Sequence, residues 1–404
     1  MGSGRSGAQQ GGLQVMARTL PSCLVIGGAG NLGSQIVDVL VERKYPKIAT
    51  FDLAPYHGAH VDRVASFSGD INDQASLENA IRTTSAQVIF HTASIIDIRP
   101  VPSPKMQLVN VEGTRTILAA VRATATVRAL VYTSSIEVVS GKAADGKRQD
   151  LSGGCDETVP IPVEHHLPYA ATKAQAELLV LTADGSSIAG RERPLLTCAI
   201  RPGYIMGAGA IGHILDMHLA HESRGGYYVG AKLPAIFPTV HGGNCARMHV
   251  MAAEKIEQSD VHGQAFFCRD FEANIVDMTL HAFRTCGVKC LILPVWLAYL
   301  LAWLTDRAER ALIKLYGWFG LRRQTPATVV DIRAVRMAYF DFVVSGEKAR
   351  RALGYEPVVG REACLDEAAR FCDGFYASLA RSGAAGAGPT SGRLGQEAPP
   401  KKEL

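Results

Sequence analysis

Seven residues near the amino end, Gly27-Gly28-Ala29-Gly30-Asn31-Leu32-Gly33, restrict what this chain can fold into more than any other stretch. A short apolar run at 22–26 precedes them, and Ile36, Val37, Val39 and Leu40 follow at helical spacing. Strand, glycine turn and helix in that order open a sheet that binds a dinucleotide. A glycine at Gly27 lets the chain turn tightly, one at Gly30 lets backbone approach a pyrophosphate, and one at Gly33 lets the helix pack closely on the sheet. The helix amino terminus then offers free N–H groups and a positive dipole end to the anion. Gly27, Gly30, Asn31, Leu32 and Gly33 are therefore the expected phosphate-side residues, in the spacing G-x-x-G-x-x-G.

The alternation continues. Apolar runs at 48–51, 64–68, 87–91, 129–133 and 195–200 read as strands. Residues 77–81, 105–124 and 169–183 read as helices between them. Such alternation predicts an α/β fold, a Rossmann-type doubly wound parallel sheet. Asp52 ends the second strand, 19 residues after Gly33. A carboxylate there can accept from both ribose hydroxyls and repels a 2′-phosphate, which favours NAD over NADP. Asp70, at the end of the third strand, is placed to hold the adenine amino group.

With 404 residues, 47% of them hydrophobic, the chain can bury a large core. Its net charge of +4 is spread through mixed acids and bases, with no basic stripe interleaved with aromatics, so nucleic acid is not an expected partner. Nine cysteines without a pairing rhythm point to reduced thiols facing the cytosol. No metal-ligand spacing is evident. Residues 1–20 form an expected disordered arm with no signal peptide, and although Met1–Ser6 fits the myristoylation pattern, acylation is not expected.

The expected organisation is an NAD-binding domain over 21–203, a substrate lobe at 204–289 returning at 324–381, a membrane-associated helical segment at 290–323 and a disordered tail at 382–404. The stretch 290–305, CLILPVWLAYLLAWLT, carries no charge, yet is shorter than the ~20 residues that span a bilayer. Trp296, Tyr299, Trp303, Tyr316 and Trp318, with nearby Arg and Lys, favour a monotopic helix at a membrane surface. Lys401 and Lys402, fourth and third from the end, resemble the dilysine retrieval signal of endoplasmic-reticulum membrane proteins, read from the cytosol.

The chemistry is carried by Tyr169-Ala170-Ala171-Thr172-Lys173. The phenol and the ammonium are i and i+4, so they share a helix face. A phenol of pKa ~10 is a poor base at neutral pH, but a neighbouring ammonium and a positive nicotinamide ring favour the phenolate. Tyr169 can then take the proton of a carbinol while hydride leaves its carbon. Lys173 can also hold the nicotinamide ribose. Ser135, at the end of the fifth strand, can hydrogen-bond the same oxygen, with Ser134 as the fallback.

At this point the chain resembles the extended short-chain dehydrogenases/reductases, and more narrowly the 3β-hydroxysteroid dehydrogenase family. The matching stretches are VIGGAGNLG (25–33), HTASIIDI (91–98), VNVEGT (109–114), VYTSSIEVV (131–139), YAATK (169–173), CAIRPGYIMG (198–207) and LGYEPVV (353–359). The resemblance implies NAD-dependent oxidation of a sterol 3β-hydroxyl, with Ser135, Tyr169 and Lys173 catalytic, Asn110 a helper in proton relay and Pro202 on the nicotinamide side. It departs where members that also shift the steroid double bond carry a Tyr and an Asp. Phe267 and Phe271 align there and Asp270 is one residue off, which argues against isomerase activity. That leaves a plain 3β-dehydrogenase or the relative that oxidises 4α-carboxysterols, whose β-keto acid product loses carbon dioxide readily. The alternatives are a bifunctional dehydrogenase/isomerase, a nucleotide-sugar epimerase or dehydratase on the same fold, and a non-enzymatic NAD-binding sensor. Homodimerisation is left open.

Overall fold

Seven short strands form one sheet in the computed structural model, which describes residues 20–96, 104–210, 226–231, 235–318 and 341–382. They are β1 (Cys23–Ile26), β2 (Ile48–Asp52), β3 (Val64–Ser68), β4 (Val88–His91), β5 (Ala129–Thr133), β6 (Leu196–Pro202) and β7 (Ala265–Cys268). Their order is β7-β6-β5-β4-β1-β2-β3, and every neighbouring pair is parallel. All four residues of β1 and of β4 are buried, as strands covered on both faces require. The chain runs outward from β1 to β3 and returns beside β1 as β4. Ligands bind such sheets beyond the carboxyl ends at this reversal.

Helices cover both faces. On one side Ile36, Val37 and Leu40 of the helix Asn31–Glu42 pack with Cys245, Met248 and Val250 of the helix Gly242–Lys255 over Val25 and Phe90. On the other, Leu77 and Ile81, Ile117 and Val121, and Ala176 and Val180 come from three successive helices and close over Leu24, Ile89 and Leu130. The predicted helix at 105–124 is interrupted. Pro104–Gln107 and Gly113–Arg122 are α-helical, and the five residues Leu108–Glu112 between them are a π-turn, a device frequent at functional sites.

The segment 204–289, read as a loop-rich lobe, is divided differently in the structure. Its strand Ala265–Cys268 is the seventh strand of the main sheet, and its helix Gly242–Lys255 covers that sheet. A run as short as AFFC has no period that separates it from loop, so the sequence did not reveal it. The remaining lobe is built on Tyr204–Met206, Phe237–His241 and Phe271–Ala273, which pair as a three-stranded sheet. Its core gathers Met206, Met278 and Phe283 against Cys364, Cys372 and Phe375 of the helix Arg361–Ser382.

The uncharged stretch 290–305 is not one element. Lys289–Ile292 is a strand paired with Tyr227–Gly230, and the helix begins at Val295 and runs 24 residues to Trp318. No helix among the described residues is long and apolar enough to cross a membrane. Ala298 and Ala302 are buried on Ala231, whereas Trp296 and Trp318 are 68% and 84% exposed. Apart from Leu20 and Ser382, the predicted arm and tail lie outside the described residues, as do 319–323 of the segment and 324–340 of the lobe.

Candidate active site

The glycine turn begins where β1 ends. The Gly27 N–H donates to Phe51 O at 2.8 Å, and Gly27 adopts φ +86°, which an L side chain resists. A Cβ at Gly33 would stand 2.1 Å from the Gly27 carbonyl, so only glycine lets the helix start against the turn. Gly30 is the N-cap and brings no side chain to the helix N–H groups, which stay free for an anion. Asp52 reaches back across the strand ends. Its Oδ2 accepts from the Ala29 N–H at 3.0 Å and its Oδ1 from the Leu53 N–H at 2.7 Å. A cradle with room for backbone alone, open helix N–H groups and a carboxylate at the second strand fit a dinucleotide with an unmodified adenosine ribose.

Other predicted cofactor residues are placed differently. The Asn31 amide donates to Ala208 O at 2.9 Å and its oxygen accepts from Gln35, so this side chain ties the turn to the segment after β6. Leu32 packs into the core beside Ile36. Asp70 is exposed and accepts from the main chain and amide of Asn72, an Asx turn ahead of the true N-cap Asp73. Pro202 is buried at the end of β6 opposite Cys268.

The three residues predicted to be catalytic gather at the carboxyl end of β5. Ser135 leaves that strand in extended backbone and caps the 3-10 turn Ile136–Val139, its hydroxyl accepting from the Glu137 N–H at 3.2 Å. The same hydroxyl favours the ionised form of the Tyr169 phenol. The hydroxyl of Ser134, the fallback, is buried without a hydrogen-bond partner. The helix Pro168–Thr182 starts with Pro at its first turn and carries Tyr169 and Lys173 on one face. Lys173 is 1% exposed; its Nζ donates to Thr133 O at 2.5 Å and lies 4.4 Å from the centre of the Tyr132 ring.

Burial decides the electrostatics. It pushes the Tyr169 phenol above its usual range, the Ser135 hydroxyl pulls it down, and the Glu137 carboxylate adds to the rise. Burial drags Lys173 down to about 7, opposed by Glu177. The expected lowering of Tyr169 by the Lys173 ammonium is not what this state displays. The lysine is spent on the Thr133 carbonyl and the Tyr132 ring, and the group favouring the phenolate is Ser135.

Three features went unread in the sequence. Glu177 lies one turn past Lys173, and its bidentate pair with Arg201 is buried, at 2.6 and 2.9 Å. The spacing of Tyr169, Lys173 and Glu177 was the available signal. Thr133 Oγ1 pairs with His249 Nε2 at 2.8 Å, fixing the carbonyl that Lys173 uses. Glu137 is the third. Asn110, in the π-turn, accepts from Ile95 N and donates to Ile95 O and Thr172 Oγ1. Its amide is fully engaged in holding the active-site helix and carries no free donor for a relay.

Oxidation of a carbinol needs a hydride acceptor and a proton acceptor within reach of one carbon, and the switch point of this sheet brings the two sites together. That defines a dinucleotide-dependent enzyme of the short-chain dehydrogenase/reductase class. The chain belongs to the 3-beta hydroxysteroid dehydrogenase/isomerase family, whose pattern matches residues 24–291, and is an NAD-dependent oxidoreductase. It is similar to human "3 beta-hydroxysteroid dehydrogenase type 7", 34% identical over 84% of this chain and 92% of that one. It is also similar to the Mycobacterium tuberculosis "3 beta-hydroxysteroid dehydrogenase/Delta 5-->4-isomerase", 31% identical over 88% and 90%. Among solved structures, the UDP-glucose 4-epimerase of Thermus thermophilus in complex with NAD superposes with a TM-score of 0.59 at 20% identity, covering 87% of this chain and 99% of that one, a likeness of fold.

Proposed function

We propose that the protein oxidises the 3β-hydroxyl of a steroid or sterol to the 3-ketone at a membrane surface. The observation that carries this reading is the gathering of Ser135, Tyr169 and a buried Lys173 at the strand ends next to the glycine turn. When bound, NAD accepts the hydride. Tyr169 receives the carbinol proton, and Ser135 orients the same oxygen and offsets developing charge. Lys173 holds the nicotinamide ribose, and Asp52 selects the unphosphorylated adenosine ribose.

A reaction that stops at the ketone is supported by three residues. Phe267 is fully buried beneath Arg201, and Phe271 is a strand residue paired with Thr239. Asp270 is consumed by the His241 N–H, the Asn244 amide and the Tyr355 hydroxyl, at 2.8, 2.8 and 2.5 Å. None of the three is left to move a proton between steroid carbons. A 4α-carboxysterol suits such a site, because the β-keto acid formed decarboxylates without another catalytic group. The exposed aromatics of the helix Val295–Trp318, with Arg307 stacked 4.8 Å from the Trp303 ring, support association with a lipid surface. The test is NAD reduction across 3β-hydroxysteroids with and without a 4α-carboxylate, following carbon dioxide and the position of the double bond. Turnover without bond migration is expected, and migration during turnover would overturn the reading of Asp270, Phe267 and Phe271.

A further inference from the structure

Glu137 stands two residues past Ser135 on the 3-10 turn Ile136–Val139. Its main-chain N–H donates to the Ser135 hydroxyl at 3.2 Å, and the helix that carries Tyr169 packs on this turn. Its side chain is turned inward. Oε2 is buried with no hydrogen-bond partner. Ser140, which ends the turn, and Arg148, in the following loop, both favour the charged carboxyl. Tyr169 faces it from the helix Pro168–Thr182. Arg148 in turn faces His166.

An unpartnered oxygen in a buried carboxyl makes the charged form costly. Burial lifts Glu137 to about 7, and Arg148 and Ser140 only moderate the rise. When Glu137 is charged it opposes the phenolate of Tyr169; when neutral it does not. We propose that Glu137 is a positioning residue for the oxidation: its main chain aims Ser135, and the charge on its side chain sets how readily Tyr169 becomes phenolate. The inference rests on Tyr169 being the proton acceptor.

The experiment compares pH profiles of NAD reduction for the full-length wild type, Glu137→Gln and Tyr169→Phe, with one 3β-hydroxysteroid. Glutamine keeps the size and the main-chain bond and removes the charge. Above about pH 7, where the wild-type carboxyl ionises, the acid limb of kcat in Glu137→Gln is expected to lie lower by about one unit. Coincident limbs overturn the inference, as does a folded Glu137→Gln protein dead at every pH. Should that variant not fold, Glu137→Met, which removes the charge and leaves no buried polar side chain unpaired, is read in the same way: a lowered limb upholds the inference and a coincident limb overturns it. Activity in Tyr169→Phe is a separate failure, that of the proton-acceptor assignment.

Discussion

The Ser135 hydroxyl favours the phenolate of Tyr169 against the burial that pushes the phenol up. Removing it leaves burial unopposed. Ser135→Ala is expected to lower kcat by about 10²-fold and to move the acid limb of its pH profile upward, with little change in NAD affinity. Steady-state kinetics across pH check both. An unshifted limb would mean that the serine does not act on the phenol.

Asp52 touches the glycine turn as well as the end of β2. Asp52→Ala is therefore expected to weaken NAD binding and to raise the ratio of kcat/KM for NADP over NAD by about tenfold, since one lost discriminating contact amounts to roughly that factor. The ratio is measured with both cofactors at one sterol concentration. Unchanged selectivity would reject the ribose role.

Lys173 carries a stability signature. In the folded chain burial holds it near 7, against 10.5 when solvated. Between those values the unfolded chain binds more protons, so stability rises with pH across that window and is lost as pH falls toward 7. Lys173→Met is expected to flatten this rise in Tm between pH 7 and 10 in the cofactor-free protein while abolishing turnover. An equally steep rise in the variant would place the titration elsewhere.

The helix Val295–Trp318 offers a test that does not depend on catalysis. Replacing Trp296 and Trp318, the two most exposed aromatics of that helix, with serine is expected to reduce binding to phosphatidylserine-containing vesicles about tenfold or more. Vesicle co-sedimentation measures it. Undiminished binding would move the contact to another surface.

Much of the sheet and of the site could be read from the sequence, because both depend on local pattern. Glycine at 27 and 33 answers to a positive φ and to a carbonyl 2.1 Å from a would-be Cβ, constraints that leave no other residue. Tyr169 and Lys173 share a face through helical spacing alone. What escaped were long-range arrangements. Ala265–Cys268 becomes a strand only because β6 offers it an edge. Arg201 meets Glu177 from a strand 24 residues on. Asn31 stands where a cofactor contact was expected, and its amide finds Ala208, 177 residues on, a partner that no local pattern announces.

The central claim is that Tyr169 accepts the carbinol proton. Tyr169→Phe keeps the ring and removes the hydroxyl that Ser135 engages. Its NADH formation from a 3β-hydroxysteroid, measured beside NAD binding by calorimetry, tests the claim most directly. The expected result is loss of turnover with NAD still bound; near-normal turnover would contradict it.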